Sequence, residues 1–507
     1  MSNNLIMAID LGTSFIKAGL YDTETGMNVA VAKEPVHAYK PSAGVFIQKG
    51  EELLGSVVQC IKKVANSIGD RKEDIQAIAF TGQMSGFMGV DKDWNDITTW
   101  SCSLDTRYMP YLKKQLAILG DEFLKIGGTN LPQMAPKYEW FKNEFPEENA
   151  KIIKYLMISG YVIGKLGDIP IEDASIDRTY IEWTGLADVQ RDRWSSKICD
   201  TIGLNQKYLP KIVTSNTICA HLNEKMAKEL GLPSGIPLVS GAGDKAAGCL
   251  GAAILKPGDA IFEAASYGEI SCCVPEYRPD MEKRGYDVIP AAIPGLFYVT
   301  KFIPGSGIIL DWFIDTFVKE TSTSTGEAFA AIEEEMKNIP AGCEGLMAIG
   351  LLNGSSMPFD ESLKGTWMGA TLNHTKAHFY KALMESLTYD FDLSLKRVET
   401  MYPDFEFDEV KMIGGGAKSS IWPQMCADIE RKKYSVLDRD DVAMWGVVIA
   451  AGNAVGIYKD MGEIALNHVK VVKQFSPDLQ KSEEYDRYVH QYRENIRRFH
   501  KFYTELD

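Results

Sequence analysis

Ile9-Asp10-Leu11-Gly12-Thr13-Ser14-Phe15-Ile16-Lys17-Ala18 is the stretch on which the reading of this 507-residue chain turns. Apolar residues from Leu5 lead into Asp10, a Gly-Thr-Ser turn follows, and an apolar run resumes through Tyr21. That pattern predicts a strand over 5–10, a tight turn, and a second strand over 17–21. A carboxylate ends the first strand, two hydroxyls stand in the turn, and a lysine follows. Gly12 lets backbone N–H groups close on a phosphate, with Thr13 and Ser14 as further donors and Lys17 as positive charge. Asp10 suits a hydrated Mg2+ beside such phosphates. The turn joins strand to strand, so it is not the P-loop, which needs GxxxxGK[ST] ahead of a helix. Taken alone, the same residues also read as an ordinary hairpin.

The length exceeds what a single core serves, so two large domains are expected, 1–254 and 255–507, divided near Leu255. With 45% apolar and 24% charged residues the composition is that of a globular protein. No apolar run is long enough to span a bilayer, so no membrane partner is expected. Met1-Ser2-Asn3-Asn4-Leu5 runs almost directly into a strand and lacks the basic and apolar regions of a signal peptide. The nine cysteines form no CxxC pair and no zinc spacing, and adjacent Cys272 and Cys273 read as strand residues. A reduced, cytoplasmic setting follows. The net charge of −15 opposes a nucleic-acid partner. Anionic phosphates would have to be handled locally, by backbone donors, a few lysines and a metal.

Strands and helices alternate through the first third, with a helix expected over 51–68 and a strand over 75–80. A strand over 235–240 runs into Gly241-Ala242-Gly243-Asp244, and a small-residue helix is expected over 245–253. Pro257-Gly258 then turns the chain into a fresh pair of strands over 259–273. Between them Ala264-Ala265-Ser266-Tyr267-Gly268 mirrors the Asp10–Ser14 turn. A long helix over 376–402 precedes a strand ending at Ile413, and Gly414-Gly415-Gly416-Ala417 opens the next helix, where backbone can approach a nucleotide closely. Near the C-terminus Tyr485, Tyr488, Val489, Tyr492, Ile496, Phe499 and Tyr503 recur at helical spacing, a docking face for a helix over 482–506.

The order and spacing of the three Gly-rich turns resemble the FGGY carbohydrate kinases of the actin-like, ribonuclease-H-like ATPase superfamily, over nearly the whole chain. Thr81-Gly82-Gln83-Met84-Ser85-Gly86 resembles the xylulokinase-type substrate segment, and Leu104-Asp105-Thr106-Arg107 its Asp-x-Arg element. Ala135-Pro136-Lys137-Tyr138-Glu139-Trp140 and Asp173-Ala174-Ser175 resemble two further segments. Gly241–Gly248 is close to GGGDNAAG, Gly305-Ser306-Gly307 with Trp312 is similar to a glycine-then-tryptophan element, and Gly414–Trp422 with Gln424 and Ala427-Asp428 resembles GGGAKSxxWxQxxAD.

The resemblance implies an α/β fold of two actin-like domains with an interdomain catalytic cleft, and ATP- and Mg2+-dependent phosphorylation of a sugar hydroxyl. It implies Asp244 as catalytic base and Asp10 as the residue that holds Mg2+, usually through water. Gly12, Thr13, Ser14, Lys17 and Ser266 would meet phosphate oxygens. Gly307, Asp311, Gly415, Gly416, Ala417 and Ser420 would form the rest of the ATP site. Met84, Ser85, Asp105, Gln83 and Asp244 would bind the sugar, with Gln48 as a weaker candidate. The partners implied are a small sugar and ATP, and a homodimer is common in such proteins. His374 and His378, four apart, match a family His-x-x-x-His that holds no metal.

Some residues depart from the pattern. Xylulokinases typically have histidine at the position of Ser85, which puts D-xylulose in doubt. Two extra residues separate Trp100 from Asp105, and Arg107 reads equally as a structural ion-pair residue. Ala265 stands where a glycine is usual, and Gly354-Ser355-Ser356-Met357-Pro358 lacks the usual charged pair. The expected substrate is a ketopentose such as xylulose, or a related ketose or polyol. A sugar acid, an erythritol-like polyol or a hexulose is the alternative, with Lys137 and Arg107 as the residues that would meet an anion. A regulatory ATPase or a weakly active sugar sensor is the rival from another class. As a bland alternative, Asp244 would be only the N-cap of the helix that follows it.

Overall fold

The computed structural model describes residues 4–320 and 324–506. Met1–Asn3, the start of the run expected to lead into the first strand, lie outside them. The chain forms two compact units. The first gathers residues up to Leu255 with Val288–Tyr298 and Asp441–Val469; the second holds Lys256–Asp287, Val299–Asp440 and the chain from Lys470. A single cut at residue 255 therefore does not separate them. The reason is physical: helix Val442–Ala454 is apolar on all sides and must be buried on every face. It packs in the first unit against helix Asp244–Gly251 at glycine contacts. A Cβ on Gly446 would lie 2.0 Å from the Ala247 carbonyl oxygen, and one on Gly251 would lie 1.9 Å from that of Val442.

The first unit is built on a six-stranded sheet in the order Ile218–His221, Pro237–Val239, Ile75–Gly82, Leu5–Leu11, Phe15–Asp22 and Asn28–Pro35. Leu5–Leu11 pairs antiparallel with Phe15–Asp22, Asp10 opposite Lys17, and parallel with Ile75–Gly82, Leu11 beside Gly82. Pro237–Val239 adds a third parallel strand. The carboxyl ends of all three thus open on one edge, where the chain continues into Gly12–Ser14, Gln83–Ser85 and Gly241–Asp244. Ligands gather at such an edge because strand ends leave backbone groups and loop side chains unpaired there.

The second unit repeats the plan. Ala260–Ala264 pairs antiparallel with Gly268–Val274 and parallel with Glu409–Ile413, which pairs parallel with Lys433–Leu437. Here the carboxyl ends run into Ala265-Ser266 and Gly414–Gly416. Helix Lys376–Met401 spans the unit, and helix Leu479–Leu506 docks on it through buried Tyr485, Tyr488, Val489 and Tyr492. No helix among the described residues is long and apolar enough to cross a membrane. All nine cysteines are free thiols.

Candidate active site

The Asp10 hairpin is short because of Gly12. A Cβ there would lie 2.6 Å from the Phe15 carbonyl oxygen, so closeness, not left-handed backbone, demands glycine. The Asp10 carboxylate is 3.6 Å from Lys17 Nζ. Gln48 Nε2 donates to the Thr13 carbonyl at 2.8 Å, and the Ser14 carbonyl accepts from Val36 N–H at 2.9 Å. Both bonds hold the turn's backbone, in which Thr13 is half-buried and Ser14 exposed.

Gln48 belongs to a small sheet that gathers the expected sugar-binding segments: Ile47–Gln48 pairs with Trp100–Cys102, which pairs with Gly86–Val90. Trp100 Nε1 donates to Gln83 Oε1 at 3.2 Å. Gly86 admits that indole, since a Cβ would fall 2.0 Å from its ring. Gln48 Oε1, Thr81 Oγ1, Gln83 Nε2 and Ser85 Oγ are buried with no hydrogen-bond partner. Leaving such atoms unsatisfied costs about 1–3 kcal/mol each, so a set of them on neighbouring segments marks where polar groups of a ligand would be received.

Asp105 is buried and fully engaged. It accepts from Ser101 Oγ at 2.9 Å and takes the Arg107 fork at 2.9 and 2.6 Å. The Arg107 guanidinium also stacks 4.5 Å above the Trp140 ring. Lys137, one helical turn before Trp140, is fully buried and donates to the carbonyls of Ser101 at 2.9 Å and Cys102 at 2.6 Å. Burial draws its ammonium down to about 8.

Asp244 is the first residue of its helix, and the N-cap is Gly243, with no side-chain cap. The bland alternative, Asp244 as N-cap, does not describe this helix. A Cβ on Gly243 would lie 2.7 Å from Met84 Cγ, so Met84 rests on the turn that delivers Asp244. Tyr180, fully buried, is held protonated first by burial and then by the charge of Asp244, with Asp177 and Asp10 adding to it. The carboxylates of Asp244, Asp177 and Asp10 therefore all act on one phenol.

In the second unit a cavity of about 560 Å³ is lined by Ser266, Gly307, Asp311, Gly415, Gly416 and Trp422, among others. Its walls are close contacts between turns. A Cβ on Gly307 would lie 2.4 Å from the Ala265 carbonyl oxygen, and one on Gly416 would lie 2.6 Å from Ala264 Cβ. Ala265 is absent from the residues with left-handed backbone, so alanine fits without strain. Partial burial and neighbouring Asp315 raise the Asp311 carboxyl.

The residues predicted from sequence fall into two groups, one on each unit. Asp10, Gly12, Thr13, Ser14, Lys17, Gln48, Gln83, Met84, Ser85, Asp105 and Asp244 belong to the first, the remainder to the second. Ala417 and Ser420 do not line the cavity. The Ala417 N–H donates to Gly414, while Ser420 N and Oγ donate to Glu333 Oε2 at 2.9 and 2.7 Å. Glu333, Phe329, Tyr380 and Met384 complete the wall and carry no local motif. The Ser324–Glu327 capping box is the signal that marks the helix bearing Phe329 and Glu333. His374 and His378 accept N–H bonds from Thr371 and Thr375 at 2.9 and 3.2 Å, as turn and cap residues. Among the described residues no group of three or more His, Cys, Asp or Glu could hold a metal ion.

Residues 5–251 match the profile of the FGGY family of carbohydrate kinases, N-terminal domain, and residues 274–455 that of its C-terminal domain. The chain is 26% identical over 485 residues to xylulose kinase of Bacillus subtilis (strain 168), covering 95% of this chain and 94% of that protein. It is 24% identical over 512 residues to gluconokinase of Bacillus licheniformis, covering 99% and 97%. To autoinducer-2 kinase of Enterobacter sp. (strain 638) it is 24% identical over 499 residues, covering 95% and 92%. Among solved structures, gluconate kinase from Lactobacillus acidophilus superposes with a TM-score of 0.90 at 20% identity, covering 99% of this chain and 100% of that one. Ligand-bound xylulose kinase from the same organism gives the same TM-score, identity and coverage. With profiles matched across both halves, and a fold of two actin-like, ribonuclease-H-like domains, the chain belongs to the FGGY family of carbohydrate kinases.

Proposed function

We propose that this kinase transfers the γ-phosphoryl group of ATP to a hydroxyl of a neutral ketose or polyol, a ketopentose such as xylulose being the reference substrate. The observation that carries the choice is the state of the two cations near the sugar segments. Arg107 is committed to Asp105 and Trp140, and Lys137 to two backbone carbonyls. A sugar acid's carboxylate would have to compete there with bonds already made, since Arg107 has its counter-ion in Asp105 and Lys137 keeps two of its three N–H groups on carbonyls. The buried atoms left over are uncharged: Gln48 Oε1, Gln83 Nε2 and Ser85 Oγ, which suit hydroxyls and a carbonyl.

On this reading Asp244 orients the attacking hydroxyl and accepts its proton as the P–O bond forms. Met84, Gln83 and Ser85 hold the sugar, and Asp105, expected from sequence to bind it directly, acts from behind by fixing Ser101 and Arg107. Thr13, Ser14, Lys17 and the backbone of Gly12 hold phosphate oxygens. Ser266, Gly307, Asp311, Gly415 and Gly416 receive the rest of the nucleotide. Ala417 and Ser420 support that site from behind. Asp10 offers hard carboxylate oxygens at the phosphate hairpin, and through water it would hold Mg2+, which neutralises charge on the transferring group. The phosphate hairpin and the sugar segments then belong to the first unit and the adenosine site to the second, with Val288–Tyr298 and Asp441–Val469 counted in the first.

The test is ADP release with MgATP across D-xylulose, D-ribulose, D-fructose, erythritol and D-gluconate, in wild type and Asp244→Ala. Turnover with a neutral sugar, lost in the variant, is expected. Turnover confined to gluconate would overturn the choice of a neutral substrate. ATP binding without turnover on any of them would favour the sensor.

A further inference from the structure

The turn Gly241-Ala242-Gly243, which delivers Asp244, is bonded at every residue. Gly241 N–H donates to the Ser215 carbonyl at 3.1 Å, and Ala242 N–H to the Phe80 carbonyl at 3.1 Å. Tyr180 Oη donates to the Ala242 carbonyl at 3.3 Å. Gly243 N–H, one residue from Asp244, donates to Thr179 Oγ1 at 2.8 Å. None of these partners belongs to the sequence motifs of the site, though Phe80 directly precedes one at Thr81.

Thr179 is fully buried, and its hydroxyl has one proton. That proton goes to Asp177 Oδ1, which also accepts Thr179 N–H at 2.9 Å. The other oxygen of Asp177 accepts Ser215 Oγ at 2.9 Å, and Asp177 is 1% exposed. With its proton drawn to Asp177, the Thr179 oxygen can face Gly243 only with a lone pair, so the hydroxyl has a single orientation. Burial lifts the Asp177 carboxyl to about 6, against the pull of the Thr179 and Ser215 donors.

We infer that Asp177 and Thr179 are positioning residues: Asp177 orients the Thr179 hydroxyl, and that hydroxyl fixes Gly243 and with it the placement of the Asp244 carboxylate. The inference rests on the reading of Asp244 as base. Phosphoryl transfer depends on alignment, so a turn released at one N–H lowers turnover more than affinity. The shape of Thr179 matters less than its hydroxyl, and serine should serve in its place.

The test compares Thr179→Val, Thr179→Ser and Thr179→Val in an Asp244→Ala background, by steady-state kinetics and by amide hydrogen exchange of the 241–246 segment. Expected for Thr179→Val is a fall in kcat of tenfold or more, KM for sugar and ATP within about threefold, and faster exchange at Gly243. Thr179→Ser restores both to within about threefold, and in the Asp244→Ala background Thr179→Val causes no further loss. Unchanged exchange in Thr179→Val overturns the inference whatever Asp244 does. Unchanged kcat in that variant, with Asp244→Ala inactive, overturns it while leaving the base assignment standing. A fully active Asp244→Ala enzyme removes the base assignment first, and this inference with it. Asp177→Asn checks the upper link: Gly243 exchange should quicken there also, and protection equal to wild type would take Asp177 out of the chain.

Discussion

Both units end parallel strands on a hairpin turn, yet the two turns are furnished differently. The first carries a carboxylate and a lysine 3.6 Å apart, beside segments whose buried Gln48, Gln83 and Ser85 atoms have no partner. The second carries Ala265 and Ser266, and its cavity is shaped by Gly307 and Gly416 against neighbouring backbone and side chains. One end distinguishes by hydrogen bonds waiting to be made, the other by how closely backbone can approach. Chemistry and selectivity should therefore be sensitive to polar atoms in the first unit and to added carbon atoms in the second.

The most severe way to break that contrast is Asp244→Ala. We expect kcat to fall roughly 10²- to 10⁴-fold, as for loss of a general base. Substantial activity in that variant would strip the first unit of its chemical role.

Next comes pH, read through one strongly raised acid of the second unit and one less raised acid of the first. Glu430, in the second unit, is pushed up to about 8 by burial, against the Tyr434 hydroxyl bond, whereas Asp177 in the first reaches only about 6. Each folded pKa lies above its unfolded value of about 4. Each contribution to stability is therefore complete below about pH 4 and is lost as pH rises, by up to about 1.4 kcal/mol per unit. The loss ends near pH 6 for Asp177 and near pH 8 for Glu430. Urea unfolding of Glu430→Gln should be flatter than wild type between pH 6 and 8, and an identical slope would remove the distinction.

Gly307→Ala sharpens the contrast from the nucleotide side. Its Cβ would meet the Ala265 carbonyl at 2.4 Å, so KM for ATP should rise about tenfold or more while KM for sugar holds. An equal rise in both would mean that the turn serves more than nucleotide fit. Smallest is Ser85→Ala, which removes one hydroxyl: KM for the sugar should rise about three- to tenfold with ATP unaffected. No change would leave Ser85 outside sugar recognition.

Hairpins, parallel strands and Gly-rich turns were legible because each is written locally, in a run of apolar residues ended by small or polar ones. Asp10, Gly12 and Asp244 stand where such runs end. Glu333 was not legible, because its role comes from accepting Ser419 and Ser420 bonds across 86 and 87 positions. Ser420 was read as a nucleotide contact for the same reason: the motif identifies the turn, but not the helix behind it. Arg107 reads in sequence as an ion-pair residue or an anion contact, and its fork to Asp105 two positions away is the first of these, whereas the carbonyls that hold Lys137 lie 36 and 35 positions away and leave no local sign. The Asp177–Thr179–Gly243 chain spans 64 positions at its last step and has no local signature.

The helix of Asp244 leans on Val442–Ala454, glycine against backbone. On a ribosome this fixes a schedule. The segment holding Asp244 emerges long before its packing partner, and at ordinary elongation rates the wait is on the order of ten seconds or more. Through that interval Ala247, Leu250 and Gly251 have the sheet residues Ala77, Ala79 and Val239 on one side but lack the helix that closes over them on the other. The nascent first unit is then a client for whatever shields exposed helices, and a premature stop before residue 441 leaves a catalytic half that never completes its core.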